Sequence, residues 1–279
     1  MALPSTVEIP YGQEKQVTTG KRRALGTRGV TPDGRVFYYA RAGATALASN
    51  IVVQAKAQEG TTQTQNSVTP STAVGDWSAT AAAPGIQLGK TSIGVDWATA
   101  HSSGEYVDGY MVVEGTPGGG MYRIVEDRSS GSSNTDTIIR LHPDDGIQVA
   151  VITTVTDLAF HANPYSSVIV APTALTNAVM GVTPVSVPID NYFWLQTYGP
   201  GAVRYNDLVA AVAGMEVMAG AGATAGDAIG APVSTDTTTG AITSTAGVIA
   251  YANQPRIGTA LVGIPGDAEL LKVMLSIRA

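Results

Sequence analysis

The chain has no cysteine, and its 279 residues include unusually few charged side chains. The absence of cysteine excludes disulfide scaffolds, thiolate metal sites and cysteine nucleophiles. Lys, Arg, Asp and Glu together make up 14% of the residues, against roughly 25% in an average soluble domain. Such a surface repels its neighbours weakly, which is typical of proteins that bury their exterior against other subunits.

Long apolar runs and a helix-forming composition are also missing. The longest apolar stretches have about ten residues and contain Gly or Pro, which is too short for a membrane span. Gly (32 residues) and Pro (15 residues) are frequent, whereas a helical bundle needs many Leu, Glu, Lys and Arg residues, so the composition argues strongly against a helical bundle. The first residues do not combine a basic segment with an apolar run. We therefore expect no signal peptide, no membrane partner and synthesis in a cytoplasm.

The net charge of −6 conceals an uneven distribution. Residues 1–41 carry seven basic and three acidic side chains (+4), whereas the rest carry nine basic and nineteen acidic ones (−10). The acidic majority argues against a direct nucleic-acid partner. Because residues 1–30 lack helix or strand periodicity, we predict an extended basic arm that becomes ordered on an acidic partner. The alternative is a frayed terminus without a role.

Turn residues recur about every ten positions between short runs of β-branched and aromatic residues, a spacing typical of β-sandwiches and barrels. We predict a mainly β fold in three parts. An extended arm spans residues 1–30, a β-rich sandwich or barrel-like body spans residues 31–200, and a small β-barrel-like module spans residues 201–279. Within the body, Ala46–Ala48 indicate a short helix that runs into a strand at Ile51–Val53.

The last predicted strand shows the clearest alternation. The odd-numbered residues from Leu271 to Ile277 are apolar, and those between them are mostly polar. This pattern predicts a terminal strand with one buried face. Residues 219–246 consist almost entirely of Gly, Ala, Thr and Ser, so we predict a long loop there. Residues 59–92 are similarly poor in apolar anchors, which is typical of a disordered linker or of an irregular surface segment that lies along a neighbouring subunit, and we favour the irregular segment.

Catalytic and metal-binding motifs are scarce. The three histidines have no metal-ligand spacing, and Gly115–Gly120 lacks the Gly-Lys-Ser/Thr ending of a phosphate loop. His142–Asp145 offers two carboxylates that suit Ca²⁺, although this sequence is more often a turn. Carboxylate pairs at Asp96 with Asp108, and at Glu126 with Asp127, leave a hydrolase open as an alternative. We expect no catalytic residues, no cofactor and no metal, and hence no enzyme.

Three segments carry a resemblance to a known family: Thr31–Gly43, Phe193–Pro200, and the ending Ile257–Leu261 with Leu271–Ile277. They resemble virion proteins of tailed bacteriophages. The ending, together with Gly247–Tyr251, is similar to small β-barrel capsid decoration (cement) proteins. This resemblance implies a homotrimer on the exterior of the virion, synthesised in the host cytoplasm. It would bind the major capsid protein and stabilise contacts between capsomers.

Arg and aromatic residues dominate interaction hot spots, so the predicted capsid-binding residues lie in two groups. The arm contributes the cations that would cross an acidic capsid surface, and the following strand contributes the docking residues. The full set is Lys15, Lys21, Arg22, Arg23, Arg28, Arg35, Phe37, Tyr38, Tyr39 and Arg41. The alternative function is a tail or head-fibre adhesin that binds a host surface glycan through residues such as Trp77, Trp97 and Tyr106.

Overall fold

The fold is mainly β, as predicted. The computed structural model describes residues 6–57, 69–70, 75, 77–78, 85–86, 88–97, 103–115, 119–128, 136–148, 151–152, 156–206, 211–219, 224–230, 254–263 and 269–278. These residues form twenty β-strands and one turn of 3-10 helix, η1 (Gln13–Lys15), and they contain no α-helix.

The strands are short, with one exception of fourteen residues. The first ten are β1 (Val7–Glu8), β2 (Arg28–Val30), β3 (Val36–Arg41), β4 (Val52–Gln54), β5 (Thr69–Pro70), β6 (Trp77–Ser78), β7 (Gly85–Ile86), β8 (Ser92–Asp96), β9 (Tyr110–Gly115) and β10 (Met121–Asp127). The others are β11 (Asp136–Leu141), β12 (Val151–Ile152), β13 (Thr156–His161), β14 (Ile169–Val170), β15 (Val179–Val182), β16 (Tyr192–Tyr205), β17 (Glu216–Ala219), β18 (Ala228–Gly230), β19 (Arg256–Ala260) and β20 (Glu269–Ser276).

The chain divides into two compact units because one is inserted into the other. Unit 1 comprises residues 1–57 and 164–279, and unit 2 comprises residues 58–163. Strands β4 and β14 flank the insertion and pair antiparallel, with Gln54 opposite Ile169. In topology, unit 2 therefore replaces a hairpin loop. The predicted boundaries after residues 30 and 200 do not coincide with this division, because the β4–β14 pairing joins residues that are distant in sequence.

Five strands of unit 1 close into a β-barrel in the order β16, β18, β17, β19, β20 and back to β16. The second half of β16 pairs with β20 from Tyr198 opposite Ser276 to Tyr205 opposite Glu269. Leu271, Val273 and Leu275 are fully buried in β20, whereas the residues between them are exposed. The predicted C-terminal barrel and the one-sided burial of its last strand are thus confirmed.

Two local predictions in unit 1 are wrong. Ala46–Ala48 form no helix, because Leu47 instead makes an isolated bridge to Val187 and is buried. The predicted loop at residues 219–246 contains β18, which supplies a wall of the barrel. Its three residues, Ala-Ile-Gly, are too few to show the alternation that predicts a strand. Residues 231–246, and the predicted strand at 247–251, lie outside the described residues.

Residues 6–30 do not form an extended arm. Strand β1 pairs in parallel with β2, and β2 pairs with β3, so the segment continues the sheet of unit 1. Ile9 is completely buried and Leu25 nearly so. At Gly29, an added Cβ would lie 2.8 Å from the Trp194 ring, so only glycine lets the segment approach this closely. The missing periodicity reflects a packed but irregular segment.

Unit 2 has a core of its own. Its larger sheet has the order β13, β9, β10, β11, β8, β5, and a smaller sheet pairs β12, β7 and β6. Strand β10 belongs to two ladders: it pairs with β9 from Met121 to Arg123 and with β11 from Ile124 to Asp127, where the register shifts between Ile124 and Glu126. The core contains Trp97, Tyr106 and Phe160 in mutual ring contact. The predicted irregular segment at residues 59–92 therefore includes short paired strands.

Candidate interaction surface

The basic segment (residues 15–28) follows the sheet of unit 1 and is held to it by backbone hydrogen bonds. Thr18 and Tyr192 exchange two of them, with N–H to O distances of 2.9 and 2.8 Å. Further along, the backbone N–H of Arg22 donates to the Tyr39 hydroxyl over 3.1 Å. The segment is therefore ordered on its own chain, and its cations are presented at defined positions.

The five cations of the basic segment differ in their surroundings. Lys15, Lys21 and Arg22 are exposed, whereas Arg23 and Arg28 are half-buried. Arg28 donates from Nη1 to the Thr6 hydroxyl over 3.3 Å. Among the described residues, no carboxylate pairs with Lys15, Arg22 or Arg23. No described acidic side chain neutralises the positive charge of these three residues.

The predicted docking strand corresponds to β3, which is an interior strand. It lies between β2 and β16 in the sheet. Phe37 is completely buried and Tyr39 is 4% exposed, and both belong to the hydrophobic core of unit 1. Neither side chain has surface to offer a partner in this structure, so we correct their assignment to core residues. Tyr38 is half-buried and stacks on Tyr165, with 5.2 Å between the ring centroids.

The two arginines of the predicted docking set are neutralised within the chain. Arg35 forms ion pairs with Asp33 at 2.8 Å and with the buried Glu14 at 3.6 Å. Arg41 pairs with Asp190 at 2.8 Å. The Thr31 hydroxyl donates to Asp33 and lowers the pKa of that carboxyl, and Arg35 lowers it further. Arg35 therefore stabilises the turn before β3, and Arg41 stabilises the end of that strand.

Tyr165 joins the aromatic face of β3 to the chain's last described residue. Its ring stacks on Tyr38, and its hydroxyl accepts a hydrogen bond from Nη1 of Arg278 over 3.2 Å. Burial disfavours the charged phenolate and raises the pKa of Tyr165 to about 12, although Arg278 acts in the opposite direction. Tyr165 therefore stays neutral far above physiological pH.

Replacing Tyr165 by phenylalanine should flatten the alkaline decline in stability. A tyrosine in the unfolded chain ionises near its ordinary pKa of 10.0, whereas Tyr165 in the folded chain holds its proton to about 12. The free energy of unfolding should therefore fall as pH rises from 10 to 12, by about 2 kcal/mol from this group. Urea denaturation at pH 8, 10 and 12 measures the difference. Equal declines in both proteins would contradict the assigned burial.

The candidate catalytic carboxylates make structural contacts. Asp108 lies 3.5 Å from the guanidinium of the buried Arg123, and Asp127 accepts from the backbone N–H of Tyr106. Glu126 is half-buried and pairs with Arg128 and Arg140. The Arg128 hydrogen bond lowers the pKa of Glu126. Asp96 has one buried oxygen without a hydrogen-bond partner, and its strand position lies opposite Asp136.

The candidate Ca²⁺ segment is a turn. The Asp145 backbone N–H donates to the His142 carbonyl, and the Asp145 carboxylate accepts from the Arg123 backbone N–H over 2.7 Å. The carboxylate is thus used to hold the turn against β10. Within the described ranges, no group of three or more His, Asp or Glu side chains is placed to hold a metal ion.

The residues that the adhesin alternative requires are mostly interior. Trp97 and Tyr106 stack in the core of unit 2, with ring centroids 5.5 Å apart and almost no exposed surface. They cannot serve as a stacking platform for a sugar in this structure. The Trp77 side chain lies outside the described part. Among the helices of the described residues, none is long and apolar enough to cross a membrane.

No protein-family model, curated protein or solved structure matches the chain. What can be said of its function therefore comes from the residues themselves. The geometry places three cations, Lys15, Arg22 and Arg23, on a segment that is fixed to unit 1, and none of them has a carboxylate partner in the part of the chain that the structure describes. The pairing of Arg35 with Asp33 spans two residues and is a local signal in the sequence, whereas the pairing of Arg41 with Asp190 depends on residues brought together by folding.

Proposed function

We propose that the chain is a structural protein of a phage particle. It binds the outer surface of an icosahedral head through the major capsid protein, as a homotrimer, and stabilises contacts between capsomers without catalysing a reaction. The observation that carries the proposal is the basic segment, where Lys15, Arg22 and Arg23 have no carboxylate partner among the described residues. Cations held in place in this way suit an acidic protein surface.

Three further features support the proposal. The chain has an unusually low content of charge, which suits a protein surrounded by copies of a lattice protein. The barrel and the β3–β16 sheet are stiff elements that can present the segment reproducibly. On a lattice, weak contacts are repeated at many sites, so a modest basic segment is sufficient for firm attachment.

The test is a binding assay with bare heads of the phage that encodes the chain. The purified protein should add to them at one fixed copy number per lattice site and raise their disruption temperature. Arg22→Glu combined with Arg23→Glu should weaken binding about tenfold or more and reduce its dependence on salt, because both substitutions oppose an acidic partner.

A matched control changes the same amount of charge elsewhere. Lys90→Glu combined with Lys272→Glu alters two exposed lysines outside the basic segment and should leave head binding within about twofold. Thermal unfolding verifies that both double variants remain folded. Equal losses in the two variants would point to net charge alone, and a wild-type protein that is absent from purified particles would end the proposal.

A further inference from the structure

A groove of about 440 Å³ lies in unit 1 where β19 begins and β20 ends. Its apolar lining includes Val179, which is buried, and Leu175 and Ile277, which are half-buried. Its polar lining includes Asn177 and two arginines, Arg256 and Arg278. An apolar lining with a few polar groups beside it is the general character of a binding site for a small segment or molecule.

Arg278 is held in place but is not neutralised. Its backbone is fixed at Thr197, which donates from its hydroxyl to the Arg278 carbonyl over 2.8 Å and accepts from the Ile277 N–H. Its guanidinium lies 5.9 Å from the Tyr165 ring and donates to the Tyr165 hydroxyl. This hydroxyl is neutral, and no carboxylate pairs with Arg278 among the described residues. The groove thus contains a pre-positioned cation that no described carboxylate compensates.

The other polar groups of the groove contribute less charge. Arg256 pairs with Glu216 at 2.9 Å, so its charge is largely offset. Asn177 accepts from the Ala178 N–H and uses one amide hydrogen on the Lys56 carbonyl, which leaves its second amide hydrogen available. A ligand therefore meets one full positive charge and one amide donor beside an aliphatic surface. Both polar groups are donors, and they require an acceptor.

We propose that this groove binds an acidic, aliphatic peptide segment of the partner protein. A carboxylate of the segment accepts hydrogen bonds from Arg278 and Asn177, and the neighbouring aliphatic side chain packs on Leu175, Val179 and Ile277. Charge complementarity favours this occupant over nucleic acid, which needs several cations and aromatic stacking surfaces. The inference deepens the proposed function, on which it rests for the partner's identity.

The experiment uses the full chain and two synthetic peptides. Acetyl-Leu-Asp-Leu-Asp-Leu-amide carries the proposed chemistry, and acetyl-Leu-Asn-Leu-Asn-Leu-amide has the same shape without charge. Titrations followed by methyl NMR of Val179 and Ile277 should show saturable binding of the acidic peptide, at least about tenfold tighter than that of the neutral peptide. Arg278→Gln should abolish this preference, whereas Arg278→Lys should retain part of it.

Lys272→Gln serves as the control, because Lys272 is exposed on β20 and does not line the groove. It should leave the affinity for the acidic peptide within about twofold. Equal affinity for both peptides, or no saturable binding of either to the folded protein, would overturn the inference. If the protein bound heads but not the acidic peptide, the groove proposal would be wrong and the proposed function would stand. If the protein bound the acidic peptide but did not attach to heads, the proposed function would be wrong and the groove would remain a peptide-binding site.

Discussion

Gly258→Val should lower the free energy of unfolding by about 3 kcal/mol or more, because it blocks the closure of the barrel. A Cβ at this position would lie 2.2 Å from the Met274 carbonyl oxygen and 2.7 Å from a methyl carbon of Val273. Both atoms belong to β20, the strand that joins β19 to β16. The carbonyl oxygen is part of the backbone and cannot rotate away, so β19 and β20 must separate.

Urea denaturation followed by tryptophan fluorescence and near-ultraviolet circular dichroism measures this loss. Gly20→Val is the matched control, since an added Cβ there has no neighbour within 4 Å and the backbone has no positive φ. It should change the free energy of unfolding by less than about 0.5 kcal/mol. Similar stabilities of the two variants would mean that β19 and β20 are not in contact at Gly258, contrary to the barrel described above.

Removal of residues 1–30 should destabilise unit 1 by about 4 kcal/mol or more, because the deletion removes core and sheet together. It takes away Ile9 and Leu25, both buried, together with β2, which pairs with the outer edge of β3, and β1, which pairs with β2. It also leaves Arg35 without its buried partner Glu14. An extended arm that orders only on a partner would instead leave the stability of the free protein unchanged.

Two point variants separate packing from charge at this segment. Ile9→Ala should cost about 2–4 kcal/mol, since the side chain is completely buried. Lys15→Ala, in the same segment but exposed, should cost less than about 0.5 kcal/mol. Thermal unfolding of the free protein compares them. If the deletion and Ile9→Ala were both silent, residues 1–30 would be an independent arm, and the packing at Gly29 would have no energetic role.

The candidate site was predictable in part. Charge is read directly from residue types, so the accumulation of cations between Lys15 and Arg28 was visible in the chain alone. Which cations are paired was visible only in part: Asp33 lies two residues from Arg35, but Arg35 meets Glu14 and Arg41 meets Asp190 only after folding. Phe37 and Tyr39 have the composition of a hot spot, yet they are core residues. Composition cannot distinguish an aromatic residue at an interface from one in the interior.

The groove could not have been found from the sequence. Its lining comes from the segment before β15, from the start of β19 and from the end of β20, which are brought together by the barrel. Arg278 keeps its full positive charge beside Tyr165 because the Tyr165 hydroxyl is neutral. The two residues are more than one hundred positions apart in the chain. No sequence motif or residue spacing predicts this contact.

The sequence by itself determined the class of fold, the absence of cysteine chemistry, the distribution of charge and the one-sided burial of the last strand. These are local properties, because strand alternation has a period of two residues and a turn is formed by the residues within it. Tertiary structure alone decided which strands pair, and with that the insertion of unit 2, the packing of residues 6–30 and the role of β18 as a barrel wall. Pairing depends on hydrogen bonds and buried area between distant segments, which single residues do not encode.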